Sequence, residues 1–124
     1  MRKTYAVVLA AVLASGVVVA GNASAQSSYY EGKTISVIIG ATGGSLELAA
    51  RIITRHLGKH IPGHPNVVLQ NMPGAAHLVA TNHVYTVAKP DGLTLLAANP
   101  SVGIAQLTKV DAVRFDLRKF EWLG

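Results

Sequence analysis

Residues 34–45 have the sequence Thr34-Ile-Ser-Val-Ile-Ile-Gly-Ala-Thr-Gly-Gly-Ser45, in which a short apolar run leads into a glycine-rich turn. A nearly unbroken apolar run of this length is typical of a parallel strand that is covered on both faces. Gly43 and Gly44 have no side chain, so the amides that open the following helix can approach a ligand closely, and their partial positive charge favours an anion. The segment therefore predicts a strand, a turn that can bind a carboxylate or a phosphate, and a helix.

The same plan recurs further along the chain. A second strand is predicted at residues 67–70 and a third at 93–97, and each is followed by a turn and a helical pattern. Helices that alternate with strands predict an α/β fold, with a parallel sheet in β-α-β-α-β order and right-handed crossovers. Ligands bind outside the carboxyl ends of the strands in such sheets. We therefore expect three segments to share one crevice: 40–45, 71–76 and 99–102.

Two helical patterns predict which side chains face the sheet. In the first, from Ser45 to Ile61, apolar residues recur at intervals of three and four, which predicts one apolar stripe along an amphipathic helix. The stripe consists of Leu46, Ala50, Ile53, Leu57 and Ile61. The second pattern runs from about Ala76 to Ala88. Phe120-Glu-Trp-Leu-Gly124 is similar to the start of another strand, so we expect the sheet to continue and the chain to be a fragment.

The first residues are typical of an export signal. A basic start precedes an apolar stretch, and Ala23-Ser-Ala25 is the small-residue pattern that signal peptidase recognises. The apolar stretch falls short of the ~20 residues that span a bilayer, so we expect residues 1–25 to be removed by cleavage between Ala25 and Gln26. Export without any cysteine indicates a bacterial periplasmic protein that is stabilised by its core and not by disulfides.

The charge balance argues against nucleic acid as a partner. The formal net charge is +5, and it falls to +3 once residues 1–25 are removed, with nine basic and six acidic side chains left. Only Arg114, Arg118 and Lys119 cluster, and acidic residues lie beside them. Nucleic-acid binding would require a stronger basic patch with interleaved aromatic residues. A solvated protein face is the expected role of these charges.

The glycine turn lacks the residues of nucleotide-binding motifs. A dinucleotide fingerprint needs G-x-G-x-x-G and an acidic residue near the end of the second strand, where this chain has Gln70 and Asn71. A Walker loop needs a lysine at the helix start, whereas Gly44 directly precedes Ser45 here. We therefore expect no nucleotide cofactor at this turn.

Histidines and serines offer other interpretations. His56 and His60 are spaced i, i+4, but a lysine stands where a zinc protease has its glutamate, so we predict no metal site. His77 follows the second turn and could donate a hydrogen bond to an anion, although an exposed surface histidine is the simpler interpretation. Ser101 lies in half of a nucleophile turn without a base and acid in order, and helix capping by Ser45 and Ser101 fits better.

Motifs along nearly all of residues 26–124 resemble the Bug-type extracytoplasmic solute receptors of tripartite tricarboxylate transporters. They are Tyr30-Glu-Gly-Lys-Thr-Ile35, the Gly43-Gly44 turn with an acid three residues later, Ala50-Arg51, His56-Leu-Gly-Lys-His-Ile-Pro-Gly63, Asn71-Met-Pro-Gly-Ala75, Asp91-Gly92 and Phe115-Asp-Leu-Arg-Lys-Phe120. The resemblance implies a two-lobed periplasmic binding protein, without catalysis, that closes around a small carboxylated solute and presents it to a membrane permease. Because family members are longer, it also implies that residues 26–124 are the N-terminal portion of the first lobe.

The resemblance further implies which residues bind the solute, largely through backbone groups and bridging waters. The first loop supplies Thr42, Gly43, Gly44 and Ser45, and the second supplies Met72, Pro73, Gly74 and Ala75. Four further candidates are Glu47, His77, Asn99 and Ser101. The family often has three glycines and an aspartate in the first loop and a small residue in place of His77, so the resemblance does not identify the solute.

Two alternatives stay open at this point. One is an exported α/β hydrolytic enzyme with an incomplete catalytic set, and the other is a truncated product that neither folds nor binds. About 99 residues without a second lobe bury little surface, so we expect marginal stability and a need for the second lobe in tight binding.

Overall fold

The computed structural model of the protein describes residues 29–123. The main elements are β1 (Thr34–Ile39), α1 (Gly44–His60), β2 (Asn66–Asn71), α2 (Leu78–Thr86), β3 (Thr94–Ala97) and α3 (Ser101–Leu107). Two 3₁₀ turns, at Ala75–His77 and Leu117–Lys119, lie between them and after them. The predicted export signal and its cleavage site at Ala25 and Gln26 lie outside the described residues.

The three strands form one parallel sheet in the order β2-β1-β3, which confirms the predicted α/β fold. Ile39 pairs with Asn71 on one side and with Ala97 on the other, so the carboxyl ends of the strands are level. Because the strands are parallel and in this register, the segments that follow them begin at one edge of the sheet. The shared edge predicted for the three loops is therefore present.

Central strand β1 forms the core of the fold. Its residues Ile35, Val37, Ile38 and Ile39 are all buried, as expected for a strand with helices on both faces. α1 packs on β1 and β2, whereas α2 packs on β1 and β3. The chain moves from β1 to one neighbour and then back past β1 to the other, and right-handed crossovers of this kind place the two helices on opposite faces.

The predicted apolar stripe of α1 is wrong in part. Ala50 is buried as expected, but the other buried residues of the helix are Glu47 and Thr54, and Ile53 is 58% exposed. Leu48 and Ile52 are exposed as well. The buried face of α1 is therefore shifted from the predicted stripe: Leu46, Leu57 and Ile61 are half-buried, and the polar Glu47 and Thr54 take buried positions.

Two element boundaries also differ from prediction. The second helix begins at Leu78 and not near Ala76, because Ala75, Ala76 and His77 all have positive φ, a conformation that no right-handed helix contains. The strand start expected at Phe120–Gly124 is wrong for the described part, since residues 120–123 form no strand. These residues fold back beside β3, where Phe120 contacts the rings of Tyr85 and Trp122.

Candidate functional site at the carboxyl edge of the sheet

The first two predicted loops are joined at the carboxyl edge of the sheet. The Asn71 side-chain amide donates a hydrogen bond to the carbonyl of Ala41 at 2.6 Å, and the amide of Met72 donates to the carbonyl of Ile39 at 2.7 Å. Both bonds connect the end of β2 to the end of β1. The two walls expected of the solute site therefore lie side by side.

The turn after β1 binds a carboxylate, and that carboxylate belongs to the chain itself. The amide of Gly43 donates a hydrogen bond to Oε2 of Glu47, and Arg51 donates to Oε1 through two of its nitrogens, the Nε at 3.0 Å. Only 8% of Glu47 is exposed. The hydrogen bond from Gly43, and next the one from Arg51, lower the pKa of Glu47 below its usual value. Glu47 is thus an acceptor for the loop as well as a first-turn acid.

The conformation of the first loop explains its glycines. Gly43 and Gly44 have φ of 92° and 80°, and a Cβ on either would contact nothing within 4 Å. Backbone conformation, and not lack of space, therefore favours glycine at both positions. Gly43 is the N-cap residue of α1, so the predicted capping role of Ser45 is wrong. Thr42, Gly43, Gly44 and Ser45 are all exposed, as a ligand-binding loop requires.

The second wall has an unusual backbone. Gly74 has φ of 143°, and a Cβ there would come within 2.8 Å of the Val79 side chain. Three residues with side chains follow in the left-handed region: Ala75 at 44°, Ala76 at 50° and His77 at 75°. Such conformations raise the free energy of the folded chain and are found preferentially at functional sites. Met72 is half-buried, whereas Pro73, Gly74 and Ala75 are exposed.

His77 is not the exposed surface residue that the sequence favoured. It is half-buried, and its ring lies against Gly40 at the end of β1, where an added Cβ would come within 2.9 Å of His77 Nδ1. This nitrogen is buried and has no hydrogen-bond partner among the described residues. The structure therefore brings His77 into contact with the first loop.

The turn after β3 completes the edge. Asn99 Oδ1 accepts a hydrogen bond from the amide of Ser101 at 2.9 Å, a local turn that fixes the start of α3. The N-cap residue of α3 is Pro100, so the predicted capping by Ser101 is also wrong. The Ser101 hydroxyl is buried without a hydrogen-bond partner in the described part of the chain.

Sequence reasoning did not assign Arg51 to this site, and it placed Gly40 and Asn71 at the edge without predicting their contacts. Arg51 lies at i+4 from Glu47, the spacing at which helical ion pairs form, so it could have been recognised. Gly40 contacts His77 in the turn after β2, and the Asn71 amide donates to Ala41 in the loop after β1. No local signal indicates those contacts.

A mostly apolar cavity lies away from the predicted solute site. It has a volume of about 650 Å³ and runs along β3 beside the C-terminal part of α2 and the last described residues. Its wall is mostly apolar and includes Leu95, Leu96, Tyr85, Phe120 and Trp122. None of the predicted solute-binding residues lines it.

The described residues 29–123 contain no group of three or more histidine, aspartate or glutamate side chains that could bind a metal ion. Within the same range no helix is long and apolar enough to cross a membrane. Comparison of the chain with known protein families, with curated proteins and with solved structures gives no significant match.

Proposed function

We propose that this protein binds a small carboxylated solute at the carboxyl edge of its sheet, as an exported solute receptor of the Bug type that serves a tripartite tricarboxylate transporter. The periplasm is the compartment that the sequence of residues 1–25 supports, and a membrane permease is the implied partner. The observation that carries the proposal is the bond between the Gly43 amide and a carboxylate, that of Glu47.

Donors beyond Gly43 are available for a second carboxylate. Gly44 and Ser45 open α1, and the first amides of a helix have no acceptor within the helix. The Arg51 side chain is 53% exposed, and a guanidinium has more N–H donors than Glu47 uses. The solute carboxylate would therefore lie beside Glu47, between the first loop and the wall of Met72, Pro73, Gly74 and Ala75.

The geometry favours binding over hydrolysis. A catalytic serine needs a base within hydrogen-bond reach, and that base needs an acid to orient it. Ser101 Oγ and His77 Nδ1 each lack a partner among the described residues. Neither the serine–histidine bond nor the histidine–acid bond of a catalytic triad is formed by these atoms. A solute-binding role therefore accounts for the site better than the hydrolase alternative.

The test distinguishes the contribution of the Ser45 amide to binding from that of the Ser45 hydroxyl. Ser45→Pro removes the amide donor at a position in the first helical turn where proline is tolerated, and Ser45→Ala removes only the hydroxyl. Amide NMR shifts are followed as succinate is added, with succinamide and sodium chloride as controls. We expect binding in the millimolar range or weaker, and NMR suits such weak binding better than calorimetry.

We expect succinate to shift the amides of Gly44 and Ser45 in the unaltered protein. The affinity for succinate, read at the Gly44 amide, should be about tenfold lower in Ser45→Pro than in Ser45→Ala. The size follows from the strength of a hydrogen bond to a charged group. Equal binding by both variants, or shifts that succinamide and salt reproduce, would refute the proposal.

A further inference from the structure

The outward face of α1 has neighbouring aliphatic side chains that no other described element covers. Leu48 is 61% exposed and Ile52 is 54% exposed, and the two lie one helical turn apart. By helical spacing they lie opposite Ala50 and Thr54, which α1 buries. Single exposed apolar residues are normal on a protein surface, whereas adjacent ones indicate a surface that contacts a partner.

The same line of residues continues as a basic surface. Arg55 and Lys59 follow Ile52 at spacings of three and then four residues, so they lie on the same side of the helix as Leu48 and Ile52. Both basic residues are exposed. The helix dipole favours a cation such as Lys59 in the last turn in any case. It does not account for Arg55, or for the exposed aliphatic residues.

No exposed negative charge balances these cations on α1. Glu47 is the one acidic residue of the helix, and it is buried and paired with Arg51. Neither of the two ion pairs within residues 29–123 includes Arg55 or Lys59. The outward face of α1 therefore presents uncompensated positive charge beside aliphatic side chains.

This combination fits a surface of anionic lipid. Aliphatic side chains of a helix that lies on a bilayer enter the boundary between headgroups and acyl chains. Arginine and lysine have long stems that keep their charges among the phosphates, where each adds to the affinity. An outward helix face is also convex, and a fluid lipid surface adapts to a convex shape, whereas a protein partner needs a matching groove.

We propose that α1 docks the protein on a membrane that contains anionic phospholipids, through Leu48, Ile52, Arg55 and Lys59. The helix would lie on the membrane surface and not cross it. The proposed carboxylate site uses backbone amides at the start of α1 and none of these four side chains, so the two proposals stand independently. An exported receptor bound in this way stays close to the permease that it is proposed to serve.

The first experiment measures co-sedimentation with vesicles. Residues 26–124, the expected exported form, are mixed with vesicles of phosphatidylcholine alone or of phosphatidylcholine and phosphatidylglycerol in equal parts. The variant is Arg55→Gln combined with Lys59→Gln. Its matched control is Lys109→Gln combined with Lys119→Gln, which removes the same charge from exposed positions outside α1.

We expect binding to the vesicles with phosphatidylglycerol, and we expect high salt to weaken it by screening the charges. The variant without Arg55 and Lys59 should bind about thirtyfold more weakly, because each basic side chain near an anionic surface contributes about fivefold. The control pair should lose much less. Leu48→Ser combined with Ile52→Ser should weaken binding about tenfold, because part of the affinity comes from apolar burial.

The second experiment locates the contact. The chain has no cysteine, so Ile52→Cys can be labelled with a dye whose emission reports the polarity around it. Ile104→Cys, at an exposed isoleucine of α3, is the matched control. Vesicles with phosphatidylglycerol should shift the emission to the blue at position 52 and leave it unchanged at position 104.

Several results would overturn the lipid proposal. They are absence of binding to phosphatidylglycerol, equal binding to both kinds of vesicle, equal losses in the two charge variants, and a blue shift at position 104 instead of position 52. Binding to poly-L-glutamate but not to the vesicles would indicate an acidic protein segment as the partner, and would refute the lipid proposal too. The carboxylate site is tested separately, with succinate.

Discussion

Glu47 shows how one side chain shapes a loop. Its carboxylate accepts from the Gly43 amide and pairs with Arg51, so it joins the turn after β1 to the second turn of α1. It also occupies one of the donors that the turn could offer to a ligand. The loop is therefore kept in a carboxylate-binding conformation by a carboxylate of the chain.

This role predicts a dependence of stability on pH. Since the pKa of Glu47 is lowered in the folded chain, its stabilising effect is present above the ordinary pKa of a glutamate, about 4.3, and is lost as the pH falls through the folded pKa. Glu47→Gln should be less stable than the unaltered protein near neutral pH, and the difference should shrink below about pH 4. Urea unfolding across this range measures it.

Glu31→Gln, an exposed glutamate outside the site, is the control for this experiment. A difference between Glu47→Gln and the unaltered protein that is constant with pH would contradict the assignment, since only a titrating group can make the difference vary.

At the scale of elements, α1 departs most from simple amphipathic design. It buries Glu47, Ala50 and Thr54 against the sheet and leaves Ile52 and Ile53 more than half exposed. Its charged ends still match the helix dipole, with Glu47 in the first turn and Lys59 and His60 in the last. The buried face of α1 therefore includes polar side chains that apolar periodicity alone does not predict.

Two substitutions on α1 test which face of the helix is buried. Ile53→Ser should change the free energy of unfolding by no more than about 0.5 kcal/mol, because the side chain is exposed. Ala50→Leu should lower it by about 1–3 kcal/mol, because the added atoms have no room against the sheet. A large effect of Ile53→Ser in chemical denaturation would mean that the apolar stripe faces the core after all.

At the scale of the whole molecule, the described chain has a small core. Nine apolar side chains are buried, whereas eleven large apolar side chains are exposed. Strand β3 pairs with β1 alone within the described sheet, and the apolar cavity runs along β3. Burial on this scale supplies little free energy to set against the entropy of ordering the chain.

We therefore predict marginal stability, with a free energy of unfolding at or below about 5 kcal/mol, and binding of an apolar dye to the native protein. Urea unfolding followed by far-UV circular dichroism measures the first, and dye fluorescence below the unfolding transition measures the second. Trp122 is 59% exposed and would be a weak reporter. A high urea midpoint without dye binding would contradict this expectation.

Local pattern was sufficient to predict the parallel α/β fold, because the apolar run at Ile35–Ile39, the glycine turn and the 17-residue helix each depend on residues close in sequence. The common edge of the three loops followed from topology alone. Neither depends on the packing of particular side chains.

Tertiary structure alone decided which polar groups meet at that edge. The contact of His77 with Gly40, the bond between Asn71 and Ala41, and the unpaired atoms of His77 and Ser101 join residues that are far apart in the chain. Such contacts depend on strand register and on the left-handed turn after Gly74, to which no periodicity in the sequence corresponds. The glycine turn after β1 was thus predictable as an anion-binding turn, whereas its occupation by Glu47 became visible only in the folded chain.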